Sequence, residues 1–168
     1  LRHHTLENID STKNLRGIIF VVDAANLAAG EDGLRQTSEY LHDTLLMLQK
    51  RLTSRKTSKA PKEMHVLVAA NKTDLFTALP ASMVRSTLEK EIGKIRESRA
   101  KGLLDSAVGT GDSVDADADE WLGETGSGPF KFEQLAEFNV FVELLGGFVN
   151  DNGRANVQKW WDWVGERL

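Results

Sequence analysis

The sequence predicts an α/β chain built on a parallel sheet, and two observations carry that prediction. Short, unbroken apolar runs rich in β-branched residues alternate with longer segments of helical periodicity. One apolar run also passes directly into the polar tetrapeptide Asn71-Lys72-Thr73-Asp74, and in open α/β sheets ligands bind beyond the carboxyl ends of the strands.

The first run, Gly17-Ile18-Ile19-Phe20-Val21-Val22, has the pattern of a parallel strand buried on both faces, closed by Asp23. From about Asp32 to Leu52, the residues Leu34, Leu41, Leu45, Leu48 and Leu52 recur at intervals of seven, four, three and four, one stripe of an amphipathic helix. A second strand is expected from Met64 to Ala70. Val84, Leu88, Ile92 and Ile95 mark the next helix, with Pro80 before it and Gly102 after it. Residues 102–130 hold six Gly, no Lys or Arg, and an acidic cluster at Asp112, Asp115, Asp117, Asp119 and Glu120. They read as a flexible acidic surface insertion. Phe138 to Leu144 is the third expected strand. A closing helix from about Arg154 to Leu168 is expected to bury Val157, Trp160, Trp161, Val164 and Leu168, leaving Trp163 for a partner surface. Strand, helix, strand, helix, strand, helix is the order of a parallel sheet with right-handed crossovers.

Composition narrows the function. The chain has 168 residues, 40% of them hydrophobic and 27% charged, as expected of a single domain spanning 1–168. A net charge of −4 argues against general nucleic-acid binding and against direct DNA binding, which need basic surface to displace counterions. Cysteine is absent, so no disulfide or thiolate metal site can form. No run of 18 apolar residues is present, and the chain starts at Leu1 without Met, from which an upstream portion is expected.

The chemistry concentrates at Asn71, Lys72 and Asp74. A carboxylate at the fourth position of Asn-Lys-x-Asp accepts hydrogen bonds from N1–H and the exocyclic amino group of guanine, a donor pair that adenine lacks. Asp74 supplies specificity, since a site built on paired hydrogen bonds rejects an analogue that leaves them unmade. Lys72 can lay its aliphatic stem along the ring, and Asn71 can tie the neighbouring loops together. Read without context, Asn71 and Asp74 are also good turn residues after a strand.

Other features have plainer readings. Asp115, Asp117 and Asp119 imitate the start of a calcium loop, but Glu120 stands where Gly is needed and Gly126 where a bidentate Glu is needed. Lys50, Arg51, Arg55, Lys56, Lys59 and Lys62 make a basic connection that reads as a solvated loop. His3 and His4 are adjacent and cannot face one metal from a helix.

Leu15 to Asp23, Asn71-Lys72-Thr73-Asp74 and Leu88-Glu89-Lys90-Glu91-Ile92 together resemble the β subunits of the eukaryotic signal recognition particle receptor, an Arf- and Sar-like small GTPase family. Phe130 to Leu135 and the long gap before the last strand fit the same family. The resemblance implies a P-loop GTPase (G domain) fold, of which this chain holds the C-terminal strand-helix repeats after the switch II region. It implies GTP or GDP as ligand and the receptor's α subunit as partner. It also implies a place on the cytosolic face of the endoplasmic reticulum membrane, anchored by an upstream segment. The family's last base-contacting motif aligns with Leu145, Gly146 and Gly147, whose backbone N–H groups would serve the guanine oxygen in place of Ser-Ala-Lys. No G-x-x-x-x-G-K-[ST] occurs in the sequence, and Gly109, Gly111, Gly126 and Gly128 read as linker glycines. Mg²⁺ ligands and the Asp-x-x-Gly element are therefore expected upstream, and no catalytic residue is assigned. The alternative is a degenerate or truncated G domain serving as a nucleotide-independent scaffold.

Overall fold

A computed structural model describes residues 15–54, 62–107, 121–123, 128–150 and 153–168. Its centre is a three-stranded parallel sheet of β1 (Gly17–Asp23), β2 (Met64–Asn71) and β3 (Val140–Gly146), in that spatial order. Ile18 pairs with Val66, and Val66 with Val142, so the strands run in register to a common carboxyl end at Asp23, Asn71 and Gly146.

A short helix, α1 (Asn26–Ala29), follows β1. The crossovers are α2 (Glu31–Thr53) and α3 (Ala81–Ala107). Because the chain steps across the sheet in one direction, two right-handed crossovers place both helices on the same face. Leu41, Leu45 and Leu48 of α2 and Val84, Leu88 and Ile92 of α3 are fully buried there with Val66, Val68 and Ala70 of β2. Leu34, the first residue of the expected stripe, is half-buried at its margin.

The opposite face is covered differently. A small hairpin, β4 (Phe148–Val149) with β5 (Ala155–Asn156), leads into α4 (Gln158–Gly165). Trp163 of α4 packs with Leu67 and Ala69 of β2. Its ring stands where a Cβ on Gly17 would lie only 3.0 Å away, so the glycine makes room for it. The indole N–H donates to Glu143 at 3.0 Å, and the Arg167 guanidinium lies 4.1 Å from the ring centre.

Several expectations are corrected. β1 is not buried on both faces: Ile19 and Val21 are 47% and 60% exposed, while Trp163 of α4 lies over Gly17 at the start of the strand. The last helix begins at Gln158, not Arg154, since Ala155–Asn156 pairs with Phe148–Val149 as a hairpin. On this shorter helix Trp160, Trp163 and Val164 turn inward, so Trp163 is core while Trp161 and Leu168 are exposed. The third strand starts at Val140, not Phe138, because a 3-10 helix spans Phe132–Phe138 and Asn139 turns out of it at φ 58.

Parts of 102–130 belong to the packed fold. α3 continues through Gly102 to Ala107, a mid-helix glycine costing only about 1 kcal/mol against alanine. Trp121–Gly123 and Phe130 are packed against the helices. Gln49 holds both sides of this short stretch, donating to the Trp121 carbonyl and accepting from the Gly123 N–H, each at 2.8 Å. Arg96 donates to the Leu122 carbonyl at 3.1 Å and lies 4.4 Å from the Trp121 ring centre. The acidic cluster at 112–120, half of the basic connection (Arg55, Lys56, Lys59) and His3 and His4 lie outside the described residues.

Candidate functional site

The carboxyl end of the sheet is a corner made by Asp23, Asn71–Asp74 and Gly146–Asn150. At the end of β2 the chain turns at Lys72, which adopts φ 64. A non-glycine residue pays about 1 kcal/mol or more for that left-handed conformation, and such positions recur where geometry serves a site. The Asn71 Oδ1 supports the turn, accepting the Lys72 N–H at 2.8 Å and the Val149 N–H at 3.2 Å. Asn71 thus ties β2 to the segment after β3, which is the loop-tying role read for it from the sequence.

Asp23 closes the corner from β1. Its Oδ1 accepts the N–H groups of Ala25 and Asn26 at 3.0 and 2.9 Å, and its Oδ2 accepts the Lys72 ammonium at 2.5 Å. Burial pushes the Asp23 carboxyl up, but the hydrogen bonds and charge of Lys72 and the two backbone donors outweigh it, and the pKa is lowered below 3.8. Asp23 was not singled out from the sequence beyond its place as a strand end. The available signal was its position: the last residue of β1, in register with Asn71.

Thr73 fastens the other side, donating to the Gly147 carbonyl through its N–H at 3.2 Å and its hydroxyl at 2.9 Å. The Gly147 N–H donates to the Ala70 carbonyl at 2.9 Å. In a parallel ladder only alternate residues bond to the same neighbour, so this bond turns the Gly146 N–H toward the outer edge of β3. Leu145 and Gly146 lie within β3, and the Leu145 carbonyl accepts the Trp160 indole N–H at 3.1 Å. Gly147 has no room for a side chain, since a Cβ would stand 2.5 Å from the Asn156 carbonyl oxygen.

The Asp74 side chain is exposed at the mouth of this corner, with the Asn150 amide 3.4 Å from its Oδ2. Of the five residues selected from the sequence, the structure places Asn71, Lys72 and Asp74 on one turn with Gly146 beside Thr73, while Leu145 packs with Leu67, Ala69 and Trp163. The structure adds Asp23, Val149 and Asn150. Among the described residues no group of three or more His, Cys, Asp or Glu side chains could hold a metal ion, and no helix is long and apolar enough to cross a membrane.

Comparison with known proteins gives one family. The model for the signal recognition particle receptor beta subunit matches residues 1–140. The receptor's subunit beta from Saccharomyces cerevisiae is 30% identical over 158 residues, covering 93% of this chain and 57% of its own length. Among solved structures, the receptor's SRb with GDP from Chaetomium thermophilum is 44% identical with a TM-score of 0.81, covering 100% of this chain and 76% of that one. The SRb-GTP/SRX complex from the same organism is 41% identical with a TM-score of 0.80, covering 100% of this chain and 63% of that one. The chain spans about half the length of the curated relatives it matches. With most of its residues inside the family match and its fold shared with the solved structures, the chain belongs to the signal recognition particle receptor β-subunit family.

Proposed function

We propose that this chain is the base-recognising portion of a guanine-nucleotide-binding receptor subunit, acting as a small-GTPase switch in co-translational targeting to the endoplasmic reticulum. The observation that carries the reading is the exposed Asp74 carboxylate at the end of β2, in a corner braced by Asn71, Thr73 and Asp23. The donor set fits guanine. Asp74 takes N1–H and the exocyclic amino group, Lys72 lines one side of the ring, and the Gly146 N–H is turned to the strand edge where the guanine oxygen would be served. Leu145 contributes backbone rather than side-chain chemistry there.

When bound, GTP and GDP with Mg²⁺ supply the two states of the switch. This chain's residues select the base and hold the corner rigid. Phosphate and Mg²⁺ ligands belong to segments outside this sequence, as does any group that hydrolyses GTP. The relatives with GDP and Mg, with GTP, and in complex with SRX support this reading. The proposed partner is the α subunit of the receptor, and membrane attachment at the cytosolic face is through a segment outside this chain.

Equilibrium binding of GTP and ATP to the full-length protein tests it. A preference for GTP of about a hundredfold or more is expected from the two discriminating hydrogen bonds. Equal affinities would overturn it. The second reading, a nucleotide-independent scaffold, is favoured by the missing G-x-x-x-x-G-K-[ST] in this sequence, and it predicts that neither nucleotide binds while the α subunit does.

A further inference from the structure

The segment after β3 holds three of the four Asn-Lys-Thr-Asp residues. The Val149 N–H reaches Asn71, the Gly147 carbonyl takes both donors of Thr73, and the Asn150 amide faces Asp74. These contacts come from a hairpin, β4 with β5, whose turn is itself closed by Asn150. Its N–H donates to the Arg154 carbonyl at 3.0 Å and its Oδ1 accepts the Arg154 N–H at 3.1 Å. One side chain thus spends its oxygen on the turn and its amide nitrogen on the Asp74 carboxylate.

Resting on the base-recognition reading above, we propose that β4 and Asn150, backed by β5, are a wall of the base site and that Asn150 is a positioning residue for Asp74. A carboxylate on an exposed turn rotates freely about its side-chain bonds, and fixing it beforehand lowers the cost of binding. The Asn150 amide occupies one lone pair of Oδ2 and leaves Oδ1, with the rest of Oδ2, for two donors of the ligand. The hairpin holds that amide in place through its own ladder, Phe148 with Asn156 and Val149 with Ala155. The close fit of Gly147 beneath Asn156 fixes the hairpin against β3. The segment after β3 thus holds the two ends of the Asn-Lys-Thr-Asp turn, Asn71 through Val149 and Asp74 through Asn150.

Two substitutions separate the roles of the two Asn150 atoms. Asn150→Asp keeps the acceptor for Arg154 and removes the donor to Asp74; Asn150→Gln keeps an amide donor and disturbs the short bond to the turn. The readout is the ratio of GTP to inosine triphosphate affinity in the full-length protein. Inosine lacks the exocyclic amino group, so misplacing Asp74 weakens GTP more than the inosine nucleotide, whereas a general loss of structure or a general charge effect weakens both alike. Asn150→Asp is expected to lower the ratio by about tenfold, the scale of one hydrogen bond to a charged group, and Asn150→Gln to leave it near wild type. An unchanged ratio in both variants, an equal fall in both, or a fall only in Asn150→Gln would overturn the proposal. Asp74→Asn run in parallel distinguishes the failures. If it lowers the ratio while Asn150→Asp does not, only the role of Asn150 is lost; if it too leaves the ratio unchanged, the base-recognition reading falls with it.

Discussion

The helix-covered face of the sheet and its carboxyl end are built from opposite materials. On the covered face Val66, Val68 and Ala70 cluster with Leu45 and Leu88, and every one is fully buried. At the carboxyl end the same strand continues as Asn71, Lys72, Thr73 and Asp74, whose side chains bond to β1 and to the segment after β3 rather than pack. The difference shows where each kind of substitution acts. Packing on one face holds the strands in register, and the register sets Asp23 beside Asn71 and Gly146 beside Ala70 at one end. The face supplies packing, and the corner is where the proposed base recognition would act.

That division gives predictions of decreasing size. Leu45→Ala should lower unfolding stability by about 4 kcal/mol, because a fully buried leucine leaves a cavity, while the folded fraction keeps its preference for GTP over ATP. Chemical denaturation and nucleotide binding measured on the same variant check both halves, and a lost base preference in folded protein would break the comparison. Lys72→Gly should do the reverse. Glycine adopts φ 64 without the side-chain penalty, so stability should rise by about 1 kcal/mol at most, while GTP affinity falls with loss of the stem beside the ring. A fall in both would mean that the Lys72 to Asp23 ion pair outweighs backbone strain.

The smallest effect concerns Asp23. Its pKa is lower in the folded chain than the ordinary 3.8, so its contribution is present above that value and is lost as the pH falls through the lowered one. Asp23→Asn can still accept from Ala25 and Asn26. The stability gap between wild type and this variant should therefore be constant at neutral pH and shrink below about pH 4, as followed by thermal melts across acidic buffers. A gap that persists there would assign the effect to the turn rather than to the ion pair.

Much of this was legible in the sequence, and the misses have physical causes. Continuous apolar runs located β1 and β2, and leucine spacing located α2. The same kind of run misled about β1, because Val66–Ala70 and Ile18–Val22 look alike in sequence while only β2 has a neighbour on each side. Trp121 and Leu122 were read into an acidic loop because the surrounding charge dominated. An adjacent Trp and Leu in a polar stretch are costly to leave in water, and that was the signal. The hairpin at 148–156 was also announced, by Asn152-Gly153, a dipeptide suited to tight hairpin turns, and Gly153 does adopt φ 72. It was overridden by the helical spacing of the tryptophans, which fits only from Gln158 onward. The turn at Asn71–Asp74 was the most legible part of the geometry, since residue types that bond locally after a strand mark it in sequence without reference to distant packing.

The most direct test is binding of GTP and xanthosine triphosphate to full-length protein carrying Asp74→Asn. The substitution turns a pair of acceptors into one acceptor and one donor, which matches xanthine's carbonyl instead of guanine's amino group. GTP binding is expected to weaken by about a hundredfold, with preference passing to the xanthine nucleotide. Unchanged GTP affinity, with no gain for xanthosine triphosphate, would contradict base recognition by Asp74.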